Sequence, residues 1–321
     1  MRARLQKLLQ SKFVRDTLIL QLGKIGVTVF GLAAWIIVPT RMGTVNYGLW
    51  VLAQSFLDTC FTLDLTGLES SINTLMGKAW GKQDQRELRD VMAAFLKMAT
   101  WRALVAFVAL AALGTLLLGW MYSDTPVDAG RISRLAVLLV LTDYLDAIYA
   151  LGMITFSTRR VMGRVAILQN ANQVVLTICS IAGALINPTP EGMFLARLSY
   201  SVITLLMVWW AYQREQALPL PTLGDLARAI PAASYRPFAG FSFVNALDKK
   251  LAGLFTQIPI QVLGVLGGPV VVSHLQLALR GMAQVSVLVS AVFENIQVVV
   301  PQAIGRGDYA GLKHNLTRVL L

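Results

Sequence analysis

Residues Gly305–Leu320 read GRGDYAGLKHNLTRVL, and Gly81–Leu96 read GKQDQRELRDVMAAFL; at an offset of 224 residues Gly, a basic residue, Asp, Leu, a second basic residue and Leu recur in register. Each copy follows a long apolar stretch, and the same offset carries Gly43 onto Gly267 just ahead of those stretches. A repeat on this scale sets the architecture. It predicts two related halves, the second unfinished at Leu321.

Working outward, the composition puts both halves in a membrane. The 321 residues are 56% hydrophobic and 14% charged, with a mean hydropathy of +0.62, which is too apolar for an ordinary soluble domain. The net charge of +11 does not form a single stripe or tail, as nucleic-acid binding would ask; it is divided among short connections between apolar runs. No nucleic-acid partner is expected. Cys60 and Cys179 lie far apart inside apolar runs and read as small buried thiols,.

The fold class that follows is an all-α polytopic membrane protein with about eight transmembrane helices. The expected spans are 16–40, 46–76, 96–121, 133–157, 165–187, 191–213, 237–265 and 270–302, each long enough to cross a bilayer and several longer. Residues 1–15 carry Arg2, Arg4, Lys7, Lys12 and Arg15 against Leu5, Leu8, Leu9 and Phe13, an amphipathic helix suited to an anionic membrane surface,. With this terminus cytoplasmic, eighteen Lys and Arg fall in cytoplasmic pieces and three, Arg41, Arg131 and Arg134, in outer loops. The positive-inside rule expects that asymmetry of a correct span count.

The connection 214–236, with Pro219, Pro221 and Pro231 around GDLARAI, separates a six-helix bundle at 16–213 from the first two helices, and the start of a third, of a second bundle at 237–321. Because six is even, the two repeats enter the membrane in the same direction. They are parallel repeats, as in many secondary transporters.

Polar residues within spans are costly, about 2.5–3.5 kcal/mol for a charge at the helix centre, so their placement carries information. Thr17, Gln21, Lys24, Thr28 and Gly31 make one stripe on the first span; Ser55, Asp58, Thr62, Thr66, Glu69 and Asn73 make one on the second,. The fourth span offers Asp143 and Asp146, and the fifth the amides Gln169, Asn170, Asn172 and Gln173. Ser242, Asn245, Lys249 and Thr256 align on the seventh span beside Asp248 and Lys250, and Ser273, Gln276, Arg280 and Gln284 on the eighth. Matched polar faces predict a central cavity. The alternative for each charge is structural: Asp248 pairing with its lysine neighbours, Asp58 or Asp146 pairing with Lys24 or Arg280, and Arg102 and Arg197 snorkelling or tying helices together.

Catalytic patterns are absent from the sequence. Gly77–Lys82 looks like a phosphate loop but is one residue short, with Gln83 where Ser or Thr is required, and two histidines leave no HExxH,. The chain reads as a non-enzyme with no catalytic residues, no metal site and no cofactor.

The opening RDTLILQLGKIGVTVFGLAAWIIVPTRMGTVNYGLWVLAQSFLDTCFTLDLTGLESSINTLMGK, with Gly43, Tyr47-Gly48 and Thr66-Gly67-Leu68, resembles the start of Wzx-like polysaccharide-export (O-antigen) flippases of the multidrug/oligosaccharidyl-lipid/polysaccharide exporter superfamily. Asn245-Ala-Leu-Asp248, Leu263-Gly264 and Pro301 followed by Gly305-Arg-Gly-Asp308 carry the likeness through the last two spans. The resemblance implies twelve to fourteen helices in two bundles, a bacterial inner-membrane location, and alternating-access transfer of an undecaprenyl-pyrophosphate-linked oligosaccharide for polysaccharide export. Expected partners are the lipid-linked glycan, membrane lipids and polysaccharide polymerase machinery. Such a cargo needs cations for its phosphates and polar groups for its sugars. Lys24, Lys249 and Arg280 are the expected phosphate-binding cations, Gln21, Asn245 and Gln284 the expected sugar contacts, and Asp58, Asp146 and Asp248 the candidate ion-coupling sites. A cation-coupled multidrug antiporter of the same superfamily is the alternative; Lys24 on the polar face of the first span counts against its acidic cavity. A truncated, non-transporting membrane protein is the third reading.

Overall fold

The structure is a computed structural model that describes residues 12–62, 68–125, 127–214, 223–234 and 242–306; within those helices the side chains of 12–27, 29, 62, 68–70, 223, 242–250, 252, 283–299, 302, 303 and 306 are not described. Every regular element among the described residues is helical: α1 (Lys12–Thr62), α2 (Leu68–Gly81), α3 (Gln85–Met121), α4 (Ala129–Thr158), α5 (Met162–Ile186), α6 (Pro190–Gln213), α7 (Leu223–Ala229) and α8 (Ser242–Arg306). The chain is an all-helical, multi-pass membrane protein. The first 11 residues and 307–321, where an amphipathic helix and the start of a further span are expected, lie outside the description.

Two of these elements are hairpins. In α1 the helical run is broken at Gly43 (φ 75, ψ 162), and in α8 at Gly268 (φ 71, ψ −173). Residues on either side of the Gly43 turn, Val38 with Tyr47, Trp35 with Trp50 and Gly31 with Gln54, each pair symmetric about the Met42–Gly43 bond, line one common cavity, so the two arms of α1 run antiparallel. The repeat turn therefore sits at Gly268, not at the Gly267 that an offset of 224 names. The loop repeat at Gly81 and Gly305 keeps the offset of 224, so the second arms differ by one residue in length.

Both turns use backbone angles open essentially to glycine alone, where another residue costs about 1–3 kcal/mol. A Cβ on Gly43 would meet nothing within 4 Å, which leaves that penalty purely conformational. Gly43→Ala is expected to destabilise the protein by about 2 kcal/mol, read as a lower unfolding midpoint in detergent. Gly163→Ala, also with nothing within 4 Å but on ordinary helical backbone, serves as the control and is expected to raise the midpoint slightly, by about 0.4–1 kcal/mol of stability.

The remaining helices are delimited by caps. Asp84 accepts from the backbone N–H groups of Arg86 (2.9 Å) and Glu87 (3.0 Å) at the start of α3; Asp128 accepts from Arg131 N (2.9 Å) to open α4. Thr189, followed by Pro190 at the first helical position, accepts from Gly192 N (3.2 Å) to open α6. Each cap satisfies a donor the helix itself leaves unpaired. α3, α4, α5, α6 and Gly253–Met282 have the length and hydropathy to cross a membrane. That last stretch passes through the Gly268 turn, so it belongs to two crossings.

Burial is distributed as lipid solvation demands. Trp120, Ile186 and Phe255 are 80%, 84% and 78% exposed, whereas Tyr47, Leu52, Leu118 and Ile132 are buried in the main apolar cluster between α1, α3 and α4. A second cluster around Ile72, Met76, Met92 and Phe95 takes in Leu226 of α7. Lys97 Nζ donates to Pro231 O (2.9 Å) and Ala233 O (3.3 Å). This part of the 214–236 connection thus packs on α2 and α3.

The hairpins cross in a reciprocal manner. Trp35 Nε1, on the first arm of α1, donates to Leu277 O on the second arm of α8 (2.9 Å). Gln261 Nε2, on the first arm of α8, donates to Leu52 O on the second arm of α1 (3.3 Å). First arm to second arm, twice, is the contact pattern of a twofold axis. At the end away from the turns Gly305 lies against Lys78 and Gly81, its own repeat partner.

Candidate functional site

The crossing of the two hairpins leaves a cavity of about 280 Å³ bounded by both arms of α1, by α5, α6 and the second arm of α8. Helix rise puts Trp35 about 12 Å and Arg280 about 18 Å from their respective turns. The cavity thus lies within the bundle, nearer the end that holds both turns.

Its walls have three chemistries. Trp35, Tyr47 and Trp50 supply an aromatic wall, Gln54, Gln173 and Ser180 supply polar groups, and Arg197 and Arg280 supply charge. Trp35 is fixed by its bond to Leu277 O. Tyr47 is fully buried and its hydroxyl finds no hydrogen-bond partner among the described residues; Gln276 Oε1 is likewise without one. The guanidinium of Arg280 sits 5.8 Å from the Tyr47 ring centroid, a long cation–π contact.

The two arginines differ in environment. Arg197 forms a salt bridge with Asp146 Oδ2, and Ser201 Oγ donates to Asp146 Oδ1 (2.7 Å). The Arg197 guanidinium also lies 4.8 Å from the Tyr200 ring. Its charge is held by a carboxylate that is itself oriented by a hydroxyl. Arg280 is half-buried, and no carboxylate among the described residues pairs with it. Among the described residues the cavity therefore presents one cation paired with a carboxylate and one that is not, beside an aromatic wall.

Of the residues expected from the sequence, Arg280 lines the cavity, and Gln173 of the expected amide cluster joins it. Asp146 is one residue behind the wall, and its partner is Arg197, not the Lys24 or Arg280 considered from sequence. Asp58 does not reach the cavity: it accepts from Gln257 Nε2 (3.4 Å) at the seam with the first arm of α8. The side chains of Gln21, Lys24, Asn245, Asp248, Lys249 and Gln284 lie outside the described ones. Their helix positions are described, and Lys24 falls seven residues before Gly31 on the same face of α1,.

Sequence reasoning missed Trp35, Tyr47, Trp50 and Gln54. The signal that finds them is mirror symmetry about Gly43, which exists only once that glycine is known to reverse the chain. Arg197, read as a structural or snorkelling group, lines the cavity while holding a structural ion pair. Arg102 pairs with Asp143 (2.8 Å) and stacks 4.8 Å from the Phe61 ring, in keeping with a helix-tying role.

No family model matches this sequence, and no curated protein does. Solved structures do. A MOP superfamily transporter from Pyrococcus furiosus, described by a binding pocket of reverse polarity, superposes with a TM-score of 0.69 at 16% identity, over 94% of this chain and 66% of its own. An outward-facing multidrug resistance MATE family transporter of the same superfamily gives 0.66 at 16% identity, over 94% and 66%. The MATE multidrug transporter DinF-BH, solved with a bound ligand, gives 0.63 at 12% identity, over 93% and 66%. The chain spans just under two thirds of the length of these structures. It has the fold that these transporter structures share.

Proposed function

We propose that this protein is a transporter that moves a lipid-linked oligosaccharide, of the undecaprenyl-pyrophosphate type, across the bacterial inner membrane by alternating access. The observation that carries the reading is Arg280: a cation inside a membrane-embedded cavity, facing aromatic residues, with no carboxylate partner among the described residues. A charge kept at that depth is costly unless a ligand compensates it, and a guanidinium matches phosphate oxygens in geometry as well as in charge. Trp35 and Trp50 offer flat apolar faces for sugar rings, and Gln54, Gln173 and Ser180 offer donors and acceptors for hydroxyls. Lys24 is a candidate second cation, seven residues before Gly31 on α1, and Asp146 is the candidate coupling group behind Arg197. In this reading the amino terminus faces the cytoplasm, and the product passes to polysaccharide polymerase machinery.

A second reading, export of hydrophobic cations, is favoured by the aromatic wall and by the multidrug transporters that share the fold. One assay separates the two. The full-length chain, reconstituted in vesicles with a fluorescent undecaprenyl-pyrophosphate sugar, is expected to make the sugar accessible to a quencher on the far side, and to leave a cationic rhodamine dye in place. Dye movement without glycan movement would reverse the assignment.

A further inference from the structure

Two glycines seat α8 against the N-terminal helices, one at each end of the seam. Near the turns, a Cβ on Gly48 would lie 1.9 Å from the carbonyl oxygen of Pro269. At the other end, a Cβ on Gly305 would lie 2.8 Å from Lys78 O and 3.3 Å from Gly81 Cα. The obstructing atoms are backbone in both places, on a proline directly after the Gly268 turn and on α2. No rotamer change relieves such a contact, so a side chain at either position must move the helices apart.

The two seats bracket the cavity. Trp35 and Trp50 line it from α1 and Arg280 lines it from α8, so the elements that the glycines bring together are the ones that form its walls. The far seat joins Gly81 to Gly305, equivalent positions of the repeat. Equivalent residues of twofold-related elements meet only near the axis. This contact therefore closes the far end of the seam close to the axis.

We infer that the Gly48–Pro269 and Gly81–Gly305 contacts are the two closures of the cavity and that they open alternately, glycine being required at each so that backbone can meet backbone. The inference rests on the transport reading for its purpose. Its physical content is that a side chain at one seat penalises the state closed at that end and leaves the other end untouched, which biases a two-state equilibrium toward opening at the filled seat.

The test uses a background with Cys60→Ala and Cys179→Ala, since both native cysteines are free, and a Ser180→Cys probe in the cavity wall. A membrane-impermeant maleimide is applied to either face of sealed membranes. Gly48→Val is expected to raise labelling from the face that holds the turns by about fivefold or more, and Gly305→Val to raise it from the opposite face by a similar factor, as a biased two-state equilibrium requires. Unchanged labelling, or a rise from the same face for both variants, overturns the inference. If the valine variants do not fold, the Gly→Ala pair carries the same test, and unchanged or same-face labelling by that pair also overturns it. Labelling needs no substrate. Failure of glycan transport with opposite-face labelling intact removes only the functional assignment, and the converse result removes only the closures.

Discussion

Arg280→Glu is expected to abolish glycan movement, lowering the initial rate in the vesicle assay by at least about 100-fold. A charge-assisted hydrogen bond is worth about 1.5–3 kcal/mol, and reversal adds repulsion between the new carboxylate and the phosphates in a poorly screened site. Arg280→Lys keeps the charge and loses the bidentate fork, so it should retain an intermediate rate. Because Arg280 is half-buried and has no carboxylate partner among the described residues, neither substitution strands an opposite charge among them, and both variants should unfold near the parent midpoint. Normal glycan movement by Arg280→Glu would remove this residue from the site.

Asp143→Ala is expected to produce the largest loss of stability. Its carboxylate pairs with Arg102 at 2.8 Å, and the Arg102 side chain is only 9% exposed. Arg102 is the eighteenth residue of the 37-residue helix α3 and falls inside the span expected over 96–121. Removing one partner of a buried pair typically costs about 3–5 kcal/mol; the 32% exposure of the Asp143 side chain argues for the lower end, about 3 kcal/mol. The double variant Arg102→Met/Asp143→Leu should recover most of that loss, since neither charge remains. Comparing unfolding midpoints of the two single variants and the double in one detergent measures the coupling. A double variant no more stable than Asp143→Ala would mean that the pair does not act as a unit.

Much of the fold was legible in the sequence because lipid imposes one strong rule: backbone groups must be satisfied within helices, so each crossing needs an apolar run of fixed minimum length. The expected spans 133–157, 165–187 and 191–213 differ from α4, α5 and α6 by a few residues, since the caps Asp128 and Thr189 are local signals. The 96–121 span was short at its start. α3 begins at Gln85, because Asp84 caps a polar first turn that hydropathy alone assigns to a loop.

The cavity was legible in part, and the division has a physical cause. Helical periodicity tells which residues share a face, and it grouped Arg280 with Gln276 and Ser273 on one stripe. It does not tell what that face meets. Asp58 shares a good polar stripe with Ser55, yet both meet Gln257 on α8 and neither lines the cavity.

The sequence by itself determined that this chain is a helical, multi-pass membrane protein carrying an internal repeat, because hydropathy, charge asymmetry and local capping act over distances shorter than one helix. Only the tertiary structure decided that α1 and α8 fold back at Gly43 and Gly268, that Asp146 holds Arg197 while Arg280 faces the Tyr47 ring, and that Gly48 and Gly305 set the closeness of the seam. Those outcomes depend on contacts between residues as far apart as Trp35 and Leu277. Their selection follows from steric fit and charge pairing between helix faces, and no window along the chain contains both faces.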